Sequence, residues 1–158
     1  MNVADLLAKA RKAGVMIATA ESCTGGMVAA ALTDVPGSSD VFERGFVSYS
    51  NAAKIALLDV SPRTLAHHGA VCEAVAREMA EGALGHSCAQ LAVAITGIAG
   101  PGGAEMKPEG RVCFGLAMQG QPTRTETREF GAQGRDRVRA LARDRALALL
   151  DAALSQDA

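Results

Sequence analysis

Three features of the chain predict an α/β fold, a three-layer α/β/α sandwich around a mixed, mostly parallel sheet of about five strands. Apolar runs of strand length alternate with segments of helical periodicity. Short polar turns rich in Gly and Ser join the runs to the helices. Two late strands, separated by Gly120-Gln121-Pro122, read as a hairpin and require at least one antiparallel pair.

Val3, Leu6, Leu7 and Ala10 fall at i, i+3, i+4 and i+7, so residues 3–13 read as an amphipathic helix that Gly14 closes. Residues 15–20 form a buried strand and 24–33 a helix. Asp34 to Ser39 is a loop by its turn residues. Phe42 to Tyr49 alternates loosely and is read as a strand. Ser50 or Asn51 caps a short helix through Leu58. Ser61-Pro62 opens another, with Ser at the cap and Pro at the first position. Residues 72–84 form a helix with Val75, Met79 and Leu84 inward. A second apolar strand covers 89–96, followed by a Gly/Pro-rich loop, 97–110. Residues 111–118 and 124–130 make the hairpin, and roughly 134–154 the last helix. The whole of 1–158 reads as one domain, with no repeat or linker.

Hydrophobic residues make up 49% of the 158, which argues against disorder. Aromatics are only 3%, so the core must be built from Ala, Val, Leu and Met. No apolar run approaches the ~20 residues of a membrane span, and the first residues do not resemble a signal peptide. A net charge of −1 advertises no nucleic-acid surface. The four cysteines show no CxxC, which suggests cytoplasmic free thiols rather than disulfides or zinc. No cluster has metal-ligand spacing, and no cofactor is expected.

The most informative stretch is Ala18-Thr19-Ala20-Glu21-Ser22-Cys23-Thr24-Gly25-Gly26-Met27, between two apolar runs. It places Ser22, Cys23 and Thr24 at the carboxyl end of a strand and the amino end of a helix. Open α/β sheets bind ligands at that edge. Gly25 and Gly26 would let a ligand or another backbone come close. Ser22 is then a candidate nucleophile, or a helix cap. Cys23 is the rival nucleophile, or a small buried apolar residue. A serine nucleophile needs a base, and no His-Asp pairing is evident. His67 and His68 are more easily explained by a helix end. Lys54, in the first turn of a helix after a strand, can serve if kept neutral; otherwise it is a solvated surface lysine. Tyr49 could donate to such a pair or be half-buried in its strand. Thr96-Gly97-Ile98-Ala99-Gly100 follows another strand and could cradle an oxyanion or a phosphate. Arg135, Arg139 and Arg143 form a stripe that is usually a solvated face, although Arg135 could reach a ligand phosphate.

Together these segments resemble the C-terminal domain of the competence/damage-inducible protein CinA, a family also found as stand-alone nicotinamide-nucleotide amidases. The resemblance is carried by Thr19 to Gly26, Pro36-Gly37-Ser38-Ser39, Phe42 to Asn51, Lys54, His68 to Val71, Thr96 to Pro101 and Lys107-Pro108. It covers about residues 3–150. It implies metal-free hydrolysis of the carboxamide of nicotinamide mononucleotide to the acid and ammonia. Ser22 would be the nucleophile and Lys54 its base. Tyr49, Ser39 and Thr96 would stand in the site, and Arg135 is the best match for a substrate-binding arginine. The residues' own placement adds Thr24, Gly25 and Gly26 of the first Gly turn and Gly97 of the second as substrate contacts, with either turn open to phosphate or oxyanion. The resemblance also implies that the molybdopterin-type domain of larger members, with its pyrophosphatase activity, is absent. A non-catalytic nucleotide-binding module and a competence- or damage-linked regulator remain as alternatives. The expected partner is a small nucleotide rather than nucleic acid or membrane, with self-association left open.

Overall fold

The computed structural model describes residues 1–156. Six helices and five strands alternate: α1 Val3–Ala13, β1 Ile17–Glu21, α2 Met27–Thr33, β2 Phe42–Val47, α3 Asn51–Leu58, α4 Pro62–His68, α5 Glu73–Gly85, β3 Leu91–Gly97, β4 Arg111–Met118, β5 Arg124–Glu129 and α6 Arg135–Gln156. A single 3-10 turn, Ser38–Asp40, precedes β2.

The strands form one sheet in the order β2-β1-β3-β4-β5. β1 pairs parallel with both β2 and β3, while β3–β4 and β4–β5 are antiparallel. The sheet is therefore mixed, as expected, and its parallel half contains the edge where β1, β2 and β3 all end.

Strand alternation sorts the core into two layers. Leu91, Val93 and Ile95 of β3 face α1, α2 and α6, meeting Leu6, Leu7, Val28, Leu32, Val138 and Leu150. Ala92 and Ala94 of β3, with Ala18 and Ala20 of β1, face the other way, toward α3, α4 and α5. A chain almost without aromatics fills this second layer by closing the gap rather than by bulk. A Cβ added at Gly115 of β4 would stand 2.3 Å from the Ala76 carbonyl oxygen of α5. One added at Gly82 of α5 would stand 1.9 Å from the Leu58 carbonyl oxygen of α3. These glycines let α5 lie directly on the sheet and on the end of α3.

Element boundaries follow local chemistry. Asn2 caps α1 by accepting from the Ala4 N–H at 2.8 Å, and Gly14 closes it in the left-handed conformation. α2 begins at Met27 rather than at residue 24, because Gly25 and Gly26 both adopt positive φ. β2 stops at Val47, which frees residues 48–50 to turn into α3, where Ser50 accepts from the Ala53 N–H at 3.0 Å. Among the described residues, no helix is long and apolar enough to cross a membrane.

We expect Gly82→Ala to destabilise the protein despite alanine's better helix propensity of about 1 kcal/mol. Overpacking against an immobile carbonyl should cost about 1–3 kcal/mol, read as a lower urea midpoint. An unchanged or raised midpoint would show that α5 can shift away from Leu58 freely.

Candidate active site

β1 carries Glu21 at its last position, and Ser22 follows it. Ile17, Thr19 and Glu21 alternate with Ala18 and Ala20, so Glu21 points to the α2 side and Ser22 to the side of α3. Glu21 is fully buried. One of its oxygens accepts from the Thr24 hydroxyl at 2.6 Å and from the Val28 N–H at 3.0 Å; the other accepts from the Ala29 N–H at 3.1 Å. The carboxylate thus caps α2, where negative charge and acceptors are favoured. From outside, Arg139 of α6 donates to the Cys23 carbonyl at 3.0 Å. The turn is gripped from both faces. The backbone N–H groups of Cys23 and Thr24 have no hydrogen-bond partner among the described residues.

Lys54 and Leu58 lie four residues apart on the buried face of α3. Lys54 is only 1% exposed. Its Nζ lies 2.9 Å from Ser22 Oγ and 3.0 Å from the Ser48 carbonyl oxygen. Burial pushes its pKa below the ordinary lysine value; the nearby Glu105 carboxylate opposes this more weakly. A neutral amine has two N–H donors and one lone pair. With one donor on Ser48, the lone pair can accept the Ser22 hydroxyl proton. Cys23 is buried as well, and desolvation pushes its thiol up to about 12. A thiol held protonated by burial is a poor nucleophile at neutral pH.

A cleft of about 230 Å³ opens over this pair. Ser22, Cys23, Lys54, Tyr49, Asn51, Thr96, Gly97 and Arg135 line it, with residues 70–71 and 104–105. Thr96 Oγ1 donates to the Ala70 carbonyl at 2.9 Å, tying β3 to the loop before α5. Arg135, the first residue of α6, donates to the Gly100 carbonyl at 2.7 Å and to the Tyr49 hydroxyl. Tyr49 is therefore engaged with Arg135 at the mouth rather than with the Ser22–Lys54 pair.

Four expected site residues stand elsewhere. Ser39 is exposed in the 3-10 turn before β2, whose first residue, Phe42, pairs with Ile17 at the start of β1. It lies at the amino end of the strands, and the cleft at their carboxyl end. Thr24 is fully buried and spends its hydroxyl on Glu21. Gly25 and Gly26 shape the turn, and a Cβ on Gly25 would meet Arg139 at 3.3 Å. Gly97 does line the cleft, yet its lack of a side chain answers to β4, since a Cβ would stand 2.7 Å from Val112.

Sequence reasoning missed Glu21, Arg139, Glu105 and Glu109. Glu109 joins two loops, accepting from the Gly102 N–H at 2.7 Å and the Gly134 N–H at 2.9 Å. It thereby fixes the start of α6, and with it Arg135. The one available signal was strand parity, which sends Glu21 into the core and demands partners for it.

A family model of the CinA C-terminal domain matches residues 2–154. The chain belongs to this family. It is 59% identical over 126 residues to a CinA-like protein of Chlorobium phaeobacteroides, covering 78% of this chain and 30% of that one. It is 53% identical over 135 residues to a CinA-like protein of Mycobacterium avium, covering 84% and 31%. The chain thus spans about a third of the length of the curated relatives it matches. Among solved structures, a competence/damage inducible protein from Agrobacterium tumefaciens superposes with a TM-score of 0.92 at 42% identity, covering 97% of this chain and 93% of that one. A CinA superfamily protein from Escherichia coli gives 0.88 at 37% identity, with 95% and 90% covered.

The contrast between the cysteines can be measured. Iodoacetamide on the native protein at pH 8 should label exposed Cys88 rapidly and leave Cys23 unmodified, as read by peptide mass spectrometry. Equal labelling of the two would contradict a protonated, buried Cys23.

Proposed function

We propose that residues 1–158 act as one amidase domain that hydrolyses the carboxamide of nicotinamide mononucleotide to the carboxylate and ammonia. The observation that carries this reading is the 2.9 Å contact between Ser22 Oγ and the buried Lys54 amine. A lysine kept for charge alone would be more stable in water. One desolvated beside a serine hydroxyl is suited to take its proton.

Neutral Lys54 accepts the Ser22 proton as Oγ attacks the amide carbon. The carbonyl π electrons move to oxygen, giving a tetrahedral oxyanion. The unpaired N–H groups of Cys23 and Thr24 are the nearest donors in sequence to receive it; losing one such donor typically costs about 10²–10³ in turnover. Lys54 then gives its proton to the departing nitrogen, the C–N bond breaks, and ammonia leaves. Water, deprotonated by the same amine, attacks the Ser22 ester; the C–Oγ bond breaks, Oγ takes that proton back from Lys54, and the acid leaves. Arg135, held by Gly100 and Tyr49 at the mouth, is the group suited to a phosphate. A non-catalytic nucleotide-binding role would give the Ser22–Lys54 contact no task.

Ammonia release from nicotinamide mononucleotide by the purified protein tests the reaction. Ser22→Ala should lower kcat by about 10³-fold or more. Lys54→Arg should do the same although it keeps the charge, because a guanidinium does not give up its proton. Near-normal kcat in Lys54→Arg would remove Lys54 as the base. The pH dependence has a fixed sign. The amine becomes competent as it loses its proton, so kcat/KM should rise with pH, with its midpoint below the ordinary lysine value of 10.5. A profile that falls through that range would contradict a lysine base.

A further inference from the structure

The loop between β3 and β4 contains a backbone conformation that its residues do not favour. Ala104 and Lys107 exchange two backbone hydrogen bonds, at 3.0 and 2.8 Å, closing a two-residue turn. Its central residues, Glu105 and Met106, have φ of 54° and 61°. Positive φ at both positions marks a type I′ turn, which ordinarily takes Asn-Gly or Gly-Gly. Side chains are disfavoured in that region, and such strain collects at functional sites. Met106 projects fully into solvent, whereas Glu105 is turned toward the cleft and lines it.

The surroundings are shaped to receive that carboxylate. Glu105 Oε2 accepts from the Ala70 N–H at 3.1 Å. Gly69 makes room for it, since a Cβ there would stand 2.5 Å from Oε2. Lys107 lies 3.8 Å from the same oxygen, but its Nζ donates to the His68 carbonyl at 2.6 Å. Oε1 accepts no hydrogen bond among the described residues. Glu105 is also the sole carboxylate among the described residues lining the cleft, which it shares with the Arg135 guanidinium and the Lys54 amine.

We propose that Glu105 is a specificity residue that recognises a positively charged ring on the substrate, the pyridinium of the nicotinamide nucleotide, through its unpaired carboxylate oxygen. This rests on the amidase reading, which supplies the substrate. The carboxamide is a direct substituent of that ring, so a ring presented to Ser22 must lie within the same small cleft. A carboxylate within several ångströms of a fixed positive charge in a partly desolvated cleft gains more than it would in open water. A neutral aromatic amide gains nothing from it. Arg135 and Glu105 then select for opposite charges on one ligand, phosphate and pyridinium.

The test compares nicotinamide mononucleotide with benzamide riboside 5′-phosphate, in which carbon replaces the charged ring nitrogen. The readout is the ratio of their kcat/KM values in the wild type and in Glu105→Gln. Glutamine keeps an oxygen for the Ala70 N–H, so the loop anchor survives and only the charge is lost. The ratio should fall by about tenfold or more in Glu105→Gln, and Glu105→Asp should retain part of it. Any effect of Glu105 on Lys54 in the free enzyme acts on both substrates and cancels in the ratio; one that depends on the charge of the bound ring does not, and affinities, which involve no proton transfer, exclude it. An unchanged ratio, whether both rates fall together or neither falls, overturns the proposal. Calorimetry on Ser22→Ala reads the same ratio as affinities. Charge-selective binding without hydrolysis in the wild type overturns the amidase reading alone. Hydrolysis without a Glu105-dependent ratio overturns the Glu105 proposal alone. Failure of both ligands to bind overturns both.

Discussion

The structure depends on a single uncomfortable placement, a lysine amine buried beneath the sheet edge. Removing an ammonium from water is costly, and the folded chain can tolerate it only by letting the amine go neutral or by giving its protons fixed acceptors. Here the acceptors are fixed by the sheet itself. Ser48 N–H donates to the Glu21 carbonyl at 2.8 Å, locking the exit of β2 onto the end of β1. Ser22 N–H donates to the Ile95 carbonyl at 3.0 Å, locking the next residue onto β3. The Ser48 carbonyl and the Ser22 hydroxyl are thus held by adjacent strands through contacts that do not involve Lys54. α3 brings Lys54 to them from a helix capped by Ser50, and α5 is pressed close beneath it through Gly82.

The second half of the cleft is assembled differently. Where strands fix Ser22 and Ser48, loops fix Tyr49, Arg135 and Glu105, and three acids tie the segments around the cleft. Glu21 ties the turn to α2, Glu109 ties the Gly-rich loop to the start of α6, and Glu105 ties the type I′ turn to the residue after Gly69. Three carboxylates thus do with hydrogen bonds what a ladder does elsewhere. Those bonds are charge-assisted and stronger than neutral ones. The division suits a site whose reacting pair must be rigid and whose mouth must admit a ligand.

Much of this was legible in the sequence. Strands and helices emerged from periodicity, and the strand-to-helix placement of Ser22 and Lys54 was enough to put both at one edge. What escaped was whatever depends on which end of the sheet a loop occupies. Ser39 belongs to a resembling motif close in sequence to β2, but one strand length carries it to the far edge. Thr24, Gly25 and Gly26 looked like ligand contacts because a glycine turn at a helix start often is one; a buried acid one residue before Ser22 had already claimed that helix end. The arginine stripe of α6 divides for a similar reason. Arg135 reaches the cleft and Arg139 the turn, while Arg143 pairs at the surface with Asp144. No spacing rule separates three arginines at i, i+4 and i+8; only the loops packed against the helix do.

The acid at the mouth and the amine at the base of the cleft pull against each other. Glu105 favours a charged Lys54, whereas the mechanism needs a neutral one, and desolvation is the larger of the two influences. The carboxylate is tolerable because it stands on a half-exposed turn, where water weakens its reach, while the amine is enclosed. A cation seated against Glu105 changes that balance. It cancels the carboxylate's pull on Lys54 and adds a like charge within the same cleft, and both effects favour the neutral amine. On the proposed reading the pyridinium is then more than a recognition handle. Its arrival removes the one influence at the mouth that opposes proton transfer from Ser22, so occupancy of the cleft and readiness of the base rise together.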